Sequence, residues 1–132
     1  MAFNDSVADM LTRIRNAVRN RAKSTNVLNS KVCRGIAQIL QEEGYIEGFD
    51  VIEDGRQGLI RVRLRYSPTG DPVIHSIKRE SKPGCRDYRN VEDIPSPLQG
   101  LGVSIVSTSQ GVKSDRKCRE ERIGGELLAT VY

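Results

Sequence analysis

Three consecutive hydroxyl side chains, Ser107, Thr108 and Ser109, stand at the end of an apolar run in this sequence. That run, residues 103–106, is typical of a buried strand, so the hydroxyls are expected where a sheet ends. Small hydroxyls at such a place can hydrogen-bond phosphate oxygens, ribose 2′-hydroxyls or base edges. An ordinary Ser/Thr turn that caps the next helix explains the same residues, and both interpretations stay open.

Residues that usually perform acid–base or metal chemistry are sparse. His75 is the one histidine and falls in an expected strand, where a structural role is more common than catalysis. Cys33, Cys85 and Cys118 lack the CxxC spacing of zinc and redox sites, and we expect reduced thiols in a cytosolic protein. No glycine-rich phosphate loop of the GxxxxGK[S/T] or GxGxxG type occurs. The sequence therefore predicts no catalytic residue, no metal, no cofactor and no small-molecule substrate.

Two amphipathic helices and three strands are expected in the first half, in the order α-β-α-β-β. Apolar residues recur at helical spacing in two stripes. These stripes are Val7, Leu11, Ile14 and Val18, then Cys33, Ile36, Ala37 and Leu40. Asn4 or Asp5 can cap the first helix, Ser30 can cap the second, and Gly44 ends it.

The strands of the first half are expected at residues 25–28, 45–52 and 59–66. The last of these alternates strictly, which turns Ile60, Val62 and Leu64 to one face of a sheet. Arg61, Arg63 and Arg65 then share the opposite face, where the sequence does not decide between RNA and water as their partner.

Residues 67–72 contain two prolines and a glycine and form the expected linker. Strands are predicted beyond it at 73–79, 85–88, 103–107 and 126–132, with a short basic helix at 114–122. The predicted fold class is α+β, with two small α/β domains. The N-terminal domain covers 1–66, and the mostly β C-terminal domain, with its short helix, covers 73–132.

Positive charge is concentrated in one stretch of the chain. The segment from Met10 to Gln41 carries +7 and has no Asp or Glu, whereas the remainder carries −3. Such clustering is the electrostatic footprint of a polyanionic partner, although a solvated helix face explains it too. No apolar run approaches the ~20 residues of a membrane helix, and no secretory signal is evident, so we expect no membrane partner.

Several blocks of this sequence resemble the small-subunit ribosomal protein S8 family of bacterial type. Their order and spacing match over essentially the whole chain, and the first and fourth blocks together are highly specific. The blocks are residues 8–17 (ADMLTRIRNA), 42–46 (EEGYI), 81–84 (SKPG), 100–112 (GLGVSIVSTSQGV), 115–116 (DR) and 124–127 (GGEL).

The resemblance implies a structural constituent of the small ribosomal subunit rather than an enzyme. It implies early binding to the central domain of the small-subunit (16S) rRNA, with neighbouring small-subunit ribosomal proteins as further partners. The expected location is the ribosome in the cytoplasm. Binding to the chain's own messenger RNA is a further hypothesis, since members of the family regulate themselves in this way.

The resemblance also implies which residues contact RNA. The serine-threonine-serine loop grips an irregular RNA helix, and the first helix touches phosphates. The RNA-binding set is Arg13, Arg15, Asn16, Lys31, Arg86, Tyr88, Ser107, Thr108, Ser109, Gln110, Gly124, Gly125 and Glu126. Two positions depart from the family pattern. Gln110 replaces a usually basic residue, which weakens one phosphate contact. Asp87 replaces a usually apolar residue, and its charge either opposes RNA or pairs with Arg86 or Arg89.

Three alternatives to the ribosomal interpretation are a generic basic nucleic-acid-binding protein, a DNA-binding module and a small enzyme. The DNA module would place the arginine-rich first helix in a groove, and competition between duplex DNA and structured RNA tests it. The enzyme would cradle phosphate with residues 107–109 and use His75 as a base. A wide separation between His75 and that loop would exclude its simplest form.

Overall fold

Two antiparallel sheets organise the chain, one in each half, in a computed structural model that describes residues 6–132. The expected cap by Asn4 or Asp5 lies outside the described residues. The α-helices are α1 (Ser6–Arg19), α2 (Lys31–Glu42) and α3 (Asp115–Glu121). The strands are β1 (Ser24–Leu28), β2 (Ile46–Ile52), β3 (Leu59–Leu64), β4 (Ile77–Arg79), β5 (Tyr88–Arg89), β6 (Val103–Thr108), β7 (Gly111–Ser114) and β8 (Gly125–Val131). The predicted α+β class and the α-β-α-β-β order of the first half are confirmed.

The chain divides into two compact units, one of residues up to Ile74 and one from His75 to Tyr132. In the first unit the sheet order is β1-β3-β2. Along the chain, α1 precedes β1, and α2 lies between β1 and β2. Ile60, Val62 and Leu64 are buried, while the arginines between them are exposed, as the alternation predicts. On β3, one face of the sheet therefore packs in the core, and the other face carries exposed arginines.

The buried faces of α1 and α2 match the predicted apolar stripes closely, with two differences in α1. Met10 is fully buried beside Leu11, so the buried face of α1 is wider than the predicted stripe, and Val18 is only half-buried. Ser30 caps α2 by accepting a hydrogen bond from the Cys33 N–H at 3.1 Å. Gly44 follows α2 with φ +81°, a left-handed conformation that glycine adopts without a steric cost.

Residues 67–72, the expected linker, form a closed turn. The Ser67 N–H donates to the Asp71 carbonyl at 2.7 Å, and the Gly70 N–H donates to the Ser67 carbonyl at 2.8 Å. Arg21, just beyond α1, donates to the Gly70 carbonyl from the same unit. The turn is thus fastened to the first unit by backbone and side-chain hydrogen bonds.

In the second unit β8 is the strand on which the sheet is assembled. The strand order is β4-β8-β6-β7, and β5 also pairs with β8. β6 lies along one edge of β8, and β4 and β5 share the other edge at its two ends. The buried residues Ile94, Val106, Cys118 and Leu127 form a core cluster in which α3 meets this sheet.

Two predicted strands of the second half are corrected, and the predicted short helix is confirmed. The strand expected at 73–79 covers only Ile77–Arg79, because the His75 and Ser76 N–H groups both donate to the Tyr132 carbonyl and the chain bends. The strand expected at 85–88 is Tyr88–Arg89, because Cys85 instead closes a turn with Lys82. The helix expected at 114–122 is α3, with Ser114 as its N-cap and Arg122 as its left-handed C-cap.

A further strand, β7, was missed by sequence analysis. Residues 107–111 do not lead into a helix but close a β-hairpin, in which Thr108 pairs with Gly111 and Ser107 with Val112. The four residues of β7 have no alternating apolar pattern, so their extended conformation comes from pairing with β6 rather than from local sequence.

We expect one thiol to be reactive in the folded protein. Cys85 is exposed, whereas Cys33 and Cys118 are buried. Burial raises the pKa of the Cys118 thiol, which lowers the fraction of reactive thiolate at neutral pH. Alkylation of the native protein followed by mass spectrometry should give one rapid adduct at Cys85, and alkylation in denaturant should give three. Rapid native labelling of Cys118 would contradict the packing of α3 on the sheet.

Candidate nucleic-acid interface

Side chains of three neighbouring strands share one face at the end of the second sheet. Tyr88 of β5 pairs with Glu126 of β8, which pairs on its other side with Ser107 of β6. Directly opposed residues in antiparallel strands project to the same face. The next pair inward, Val106 and Leu127, projects to the opposite face and is buried in the core. The sheet therefore presents a ring, a carboxylate and a hydroxyl away from α3.

Gly124 and Gly125 let the strands of this edge come unusually close. A Cβ on Gly125 would lie 2.2 Å from the Ser107 carbonyl oxygen, and one on Gly124 would lie 2.3 Å from the Arg89 carbonyl oxygen. Real Cβ atoms are essentially never found that close to a neighbour. Both glycines are thus required by contact with the adjoining strands.

The hydroxyl of Thr108 is used inside the hairpin turn. Its Oγ1 donates to the Gly111 carbonyl at 2.7 Å and accepts from the Gln110 N–H at 3.1 Å. Gly111 takes φ +111°, so glycine is needed where the turn returns into β7. Thr108 therefore fixes the shape of the turn that displays its neighbours.

Ser107 and Ser109 have hydroxyls that form no hydrogen bond within the part of the chain that the structure describes. Ser109 is exposed at the turn, and Ser107, two residues earlier, is half-buried. The helix-capping interpretation of this segment is wrong, because the hydroxyl that caps α3 belongs to Ser114, which accepts from the Lys117 N–H at 3.2 Å. The hydroxyls of Ser107 and Ser109 therefore keep their capacity to hydrogen-bond a ligand.

Glu126 is held inward by two donors and is mostly covered. Its Oε2 accepts from the Ser81 hydroxyl at 2.5 Å and from Arg86 at 2.9 Å. Ser81 is fully buried, and its Oγ also accepts from the Asp87 N–H at 3.1 Å. The negative charge of Glu126 is thereby matched by Arg86, which reduces its repulsion of a polyanion at this edge.

Asp87 and Arg89 flank Tyr88 and form an ion pair at 2.7 Å. The hydrogen bond with Asp87 raises the pKa of the Arg89 guanidinium above its ordinary value. Asp87, which stands where the family usually has an apolar residue, therefore adds a carboxylate that is already paired with Arg89. Tyr88 itself is 70% exposed, so its ring is available to stack on a base.

A shallow depression lies beside this face, and it includes residues that sequence analysis missed. It is lined by Tyr88, Arg89, Asn90, Asp93, Gly124 and Gly125. Arg89 also donates to the Asp93 carbonyl at 3.0 Å, which holds the two walls together. Neither Arg89 nor Asn90 carries a motif of its own, and only their proximity to Tyr88 along the chain could have suggested them.

The predicted residues of the first unit lie on its helices. Arg13 forms an exposed ion pair with Asp9 at 3.0 Å, and Asn16 is exposed. Arg15 is half-buried, and Lys31 is exposed at the start of α2. The structure thus brings these four into the first unit and Arg86, Tyr88, residues 107–110 and residues 124–126 into the second.

The simplest form of the enzyme alternative is excluded. The His75 N–H donates to the Tyr132 carbonyl, whereas Ser107 pairs with Glu126 near the other end of β8. A strand rises about 3.3 Å per residue, so about 20 Å of strand separates these two places. His75 therefore cannot act on a group held by residues 107–109.

Within residues 6–132, no helix is long and apolar enough to cross a bilayer. No three His, Cys, Asp or Glu side chains of that part come together to hold a metal ion.

Comparison with known proteins gives matches along essentially the whole chain. The family model described as ribosomal protein S8 matches residues 5–132. A protein of Streptococcus pneumoniae named small ribosomal subunit protein uS8 is 46% identical over 132 residues, 100% of both chains. A protein of the same name from Streptococcus equi subsp. zooepidemicus is 48% identical, also over 100% of both chains.

Gly125→Ala should destabilise the second unit. The added Cβ meets the Ser107 carbonyl, so we expect a loss at or above the upper end of the roughly 1–3 kcal/mol typical of overpacking. Gly84→Ala is the matched control, because a Cβ at Gly84 has nothing within 4 Å. Equilibrium urea unfolding measures both variants, and equal stabilities would show that β6 and β8 are not in close contact at Gly125.

Proposed function

The chain belongs to the ribosomal protein S8 family, and on this basis we propose that it is a structural constituent of the small ribosomal subunit. We further propose that it binds the central domain of the small-subunit rRNA and is needed for assembly of the subunit. The observation that carries this proposal is the polar edge of the second unit, formed by Tyr88, Ser107 and Ser109 over closely packed glycine backbone.

The geometry of that edge suits an irregular RNA helix. The major groove of regular A-form RNA is too deep and narrow for side chains, so specific recognition requires distorted grooves or unstacked bases. Short hydroxyls on a rigid hairpin approach a shallow groove without bulk, and the exposed Tyr88 ring offers a stacking surface. Because Glu126 and Asp87 are both paired to arginines, the charges of these two carboxylates oppose the approach less.

The first unit contributes affinity with little sequence preference. Arg13, Arg15, Asn16 and Lys31 are proposed to contact phosphates, with release of counterions as the driving term. Arg13 keeps an exposed side chain although it pairs with Asp9, and exposed pairs of this kind contribute little energy and exchange readily.

We propose that the two domains, 1–66 and 73–132, make separate contacts with the RNA. Neighbouring small-subunit ribosomal proteins are the further partners, and the protein acts on ribosomes in the cytoplasm. Binding of its own messenger RNA would use the same edge, since a mimic of the ribosomal site must present the same irregular helix. The role is one of binding, without catalysis.

Ser109→Ala and Thr108→Val should each weaken specific RNA binding by about 1–3 kcal/mol, the scale of one specific contact. Ser109→Ala removes a displayed hydroxyl, whereas Thr108→Val removes the hydrogen bonds that shape the turn. Thr108→Val should therefore also lower the free energy of unfolding by about 1 kcal/mol, and Ser109→Ala should not.

Filter binding to a central-domain rRNA fragment, beside a scrambled RNA of equal length, measures these effects. Wild-type protein should prefer the fragment by about 10³-fold or more at moderate salt. Thr69→Ala, at an exposed hydroxyl of the first unit, is the control and should bind as wild type. Equal binding of both RNAs by the wild type would defeat the proposed function, and wild-type affinity of both loop variants would remove the loop from it.

A further inference from the structure

The first unit has an open sheet face that none of the proposed RNA contacts uses. Arg61 and Arg63 project from the central strand β3 to this face, and Arg65 follows at the same two-residue spacing. All three are exposed, while the residues between them are buried on the helix side. The arrangement is a line of guanidinium groups along the middle of an uncovered sheet.

The strand register identifies which neighbours share this face. On β1, Asn26 lies opposite Arg61 and Ser24 lies opposite Arg63. On β2, Asp50 lies opposite Arg61. The acidic residues of the three strands, Glu47 and Asp50, both belong to β2. The half of the face formed by β3 and β1 is therefore positive and rich in uncharged hydrogen-bonding groups.

Asp50 engages only one of the three arginines. It forms an ion pair with Arg63, whose guanidinium lies over Gly48, where a Cβ would be 2.5 Å from Nη2. Arg65 donates one long hydrogen bond, 3.3 Å, to the Gly44 carbonyl. Arg61 makes no hydrogen bond or ion pair with any of residues 6–132. Arg61 and Arg65 thus keep uncompensated positive charge at the surface.

We propose that this face is a second RNA-binding surface, on which a single-stranded or distorted rRNA segment runs along β3 and β1. Arg61 and Arg65 are four residues apart, so about 13 Å of strand separates them, which suits phosphates two nucleotides apart in an extended chain. Arg61 and Arg65 bind phosphates, and Asn26 and Ser24 hydrogen-bond the sugar–phosphate backbone beside them.

The end of the same face offers an apolar platform. Leu28 and Leu59 are paired in the row beyond Arg61 and Asn26, and Leu28 is 46% exposed. An unstacked base can pack there while its phosphate reaches Arg61. In an extended nucleotide chain phosphates alternate with bases, and this face places phosphate-binding cations beside an apolar surface, so the observations favour RNA. The inference rests on the proposed function, because it adds a second surface for the same class of partner.

A charge-neutralising pair of substitutions tests this surface in the full-length protein. Arg61→Gln/Arg65→Gln removes both uncompensated arginines, and Arg56→Gln/Lys78→Gln removes the same charge from exposed positions elsewhere. Each variant is titrated against intact small-subunit rRNA and against the short central-domain fragment, over a salt series. Thermal unfolding confirms that the variants are folded before binding is compared.

The Arg61→Gln/Arg65→Gln variant should bind intact rRNA with a weaker dependence on salt than the wild type does, and it should bind the short fragment with an unchanged dependence. Two lost single-strand phosphate contacts lower the slope of log K against log salt by about 1.4. On the short fragment the slope should match wild type, and the control pair should change the slope on intact rRNA by less than half as much. Arg61→Lys/Arg65→Lys should restore the wild-type slope, because it restores the charge.

Equal slopes for the test and control pairs on intact rRNA would overturn the inference. So would normal RNA binding by the test pair combined with failure to join a reconstituted small subunit, since the face would then dock a protein. The proposed function is tested separately by the preference of the wild type for the fragment over scrambled RNA. Loss of that preference would defeat the proposed function, whereas its presence with unchanged slopes would defeat this inference alone.

Discussion

The close approach of β8 to its neighbours is the constraint on which the second unit depends. Gly124 and Gly125 allow the carbonyls of Arg89 and Ser107 to come where any side chain would collide. This approach fixes Tyr88 and Ser107 on the two sides of Glu126 in a single row.

Polar side chains at this edge have separate tasks. Thr108 uses its hydroxyl to shape the turn, which leaves the hydroxyls on either side of it for a ligand. Ser81 is buried and links Glu126 to the backbone of Asp87, which connects β8 to the residue that precedes β5. Glu126 and Asp87 lie beside the proposed RNA-binding face, and each forms an ion pair with an arginine.

The elements with a local apolar pattern could be predicted from the sequence, whereas those that depend on distant pairing partners could not. The stripes of α1 and α2 and the alternation of β3 are local patterns, and the structure confirms them. Met10 was missed because it widens the buried face of α1 beyond the ideal stripe. β7 and the curtailed strand at Ile77–Arg79 depend on pairing partners distant in sequence. The link between Ser81 and Glu126 spans 45 residues and leaves no local signal, so no reading of the SKPG turn could reveal it.

The place of β8 along the chain has a consequence for biosynthesis. β4, β5 and β6 all pair with a strand that is translated after them, whereas the sheet of the first unit is complete once β3 has been made. During vectorial synthesis the first unit can therefore fold while the second still lacks its central strand. The edge with Tyr88 and Ser107 comes into being only when residues 125–131 leave the exit tunnel, so nascent chains cannot engage a ligand there prematurely.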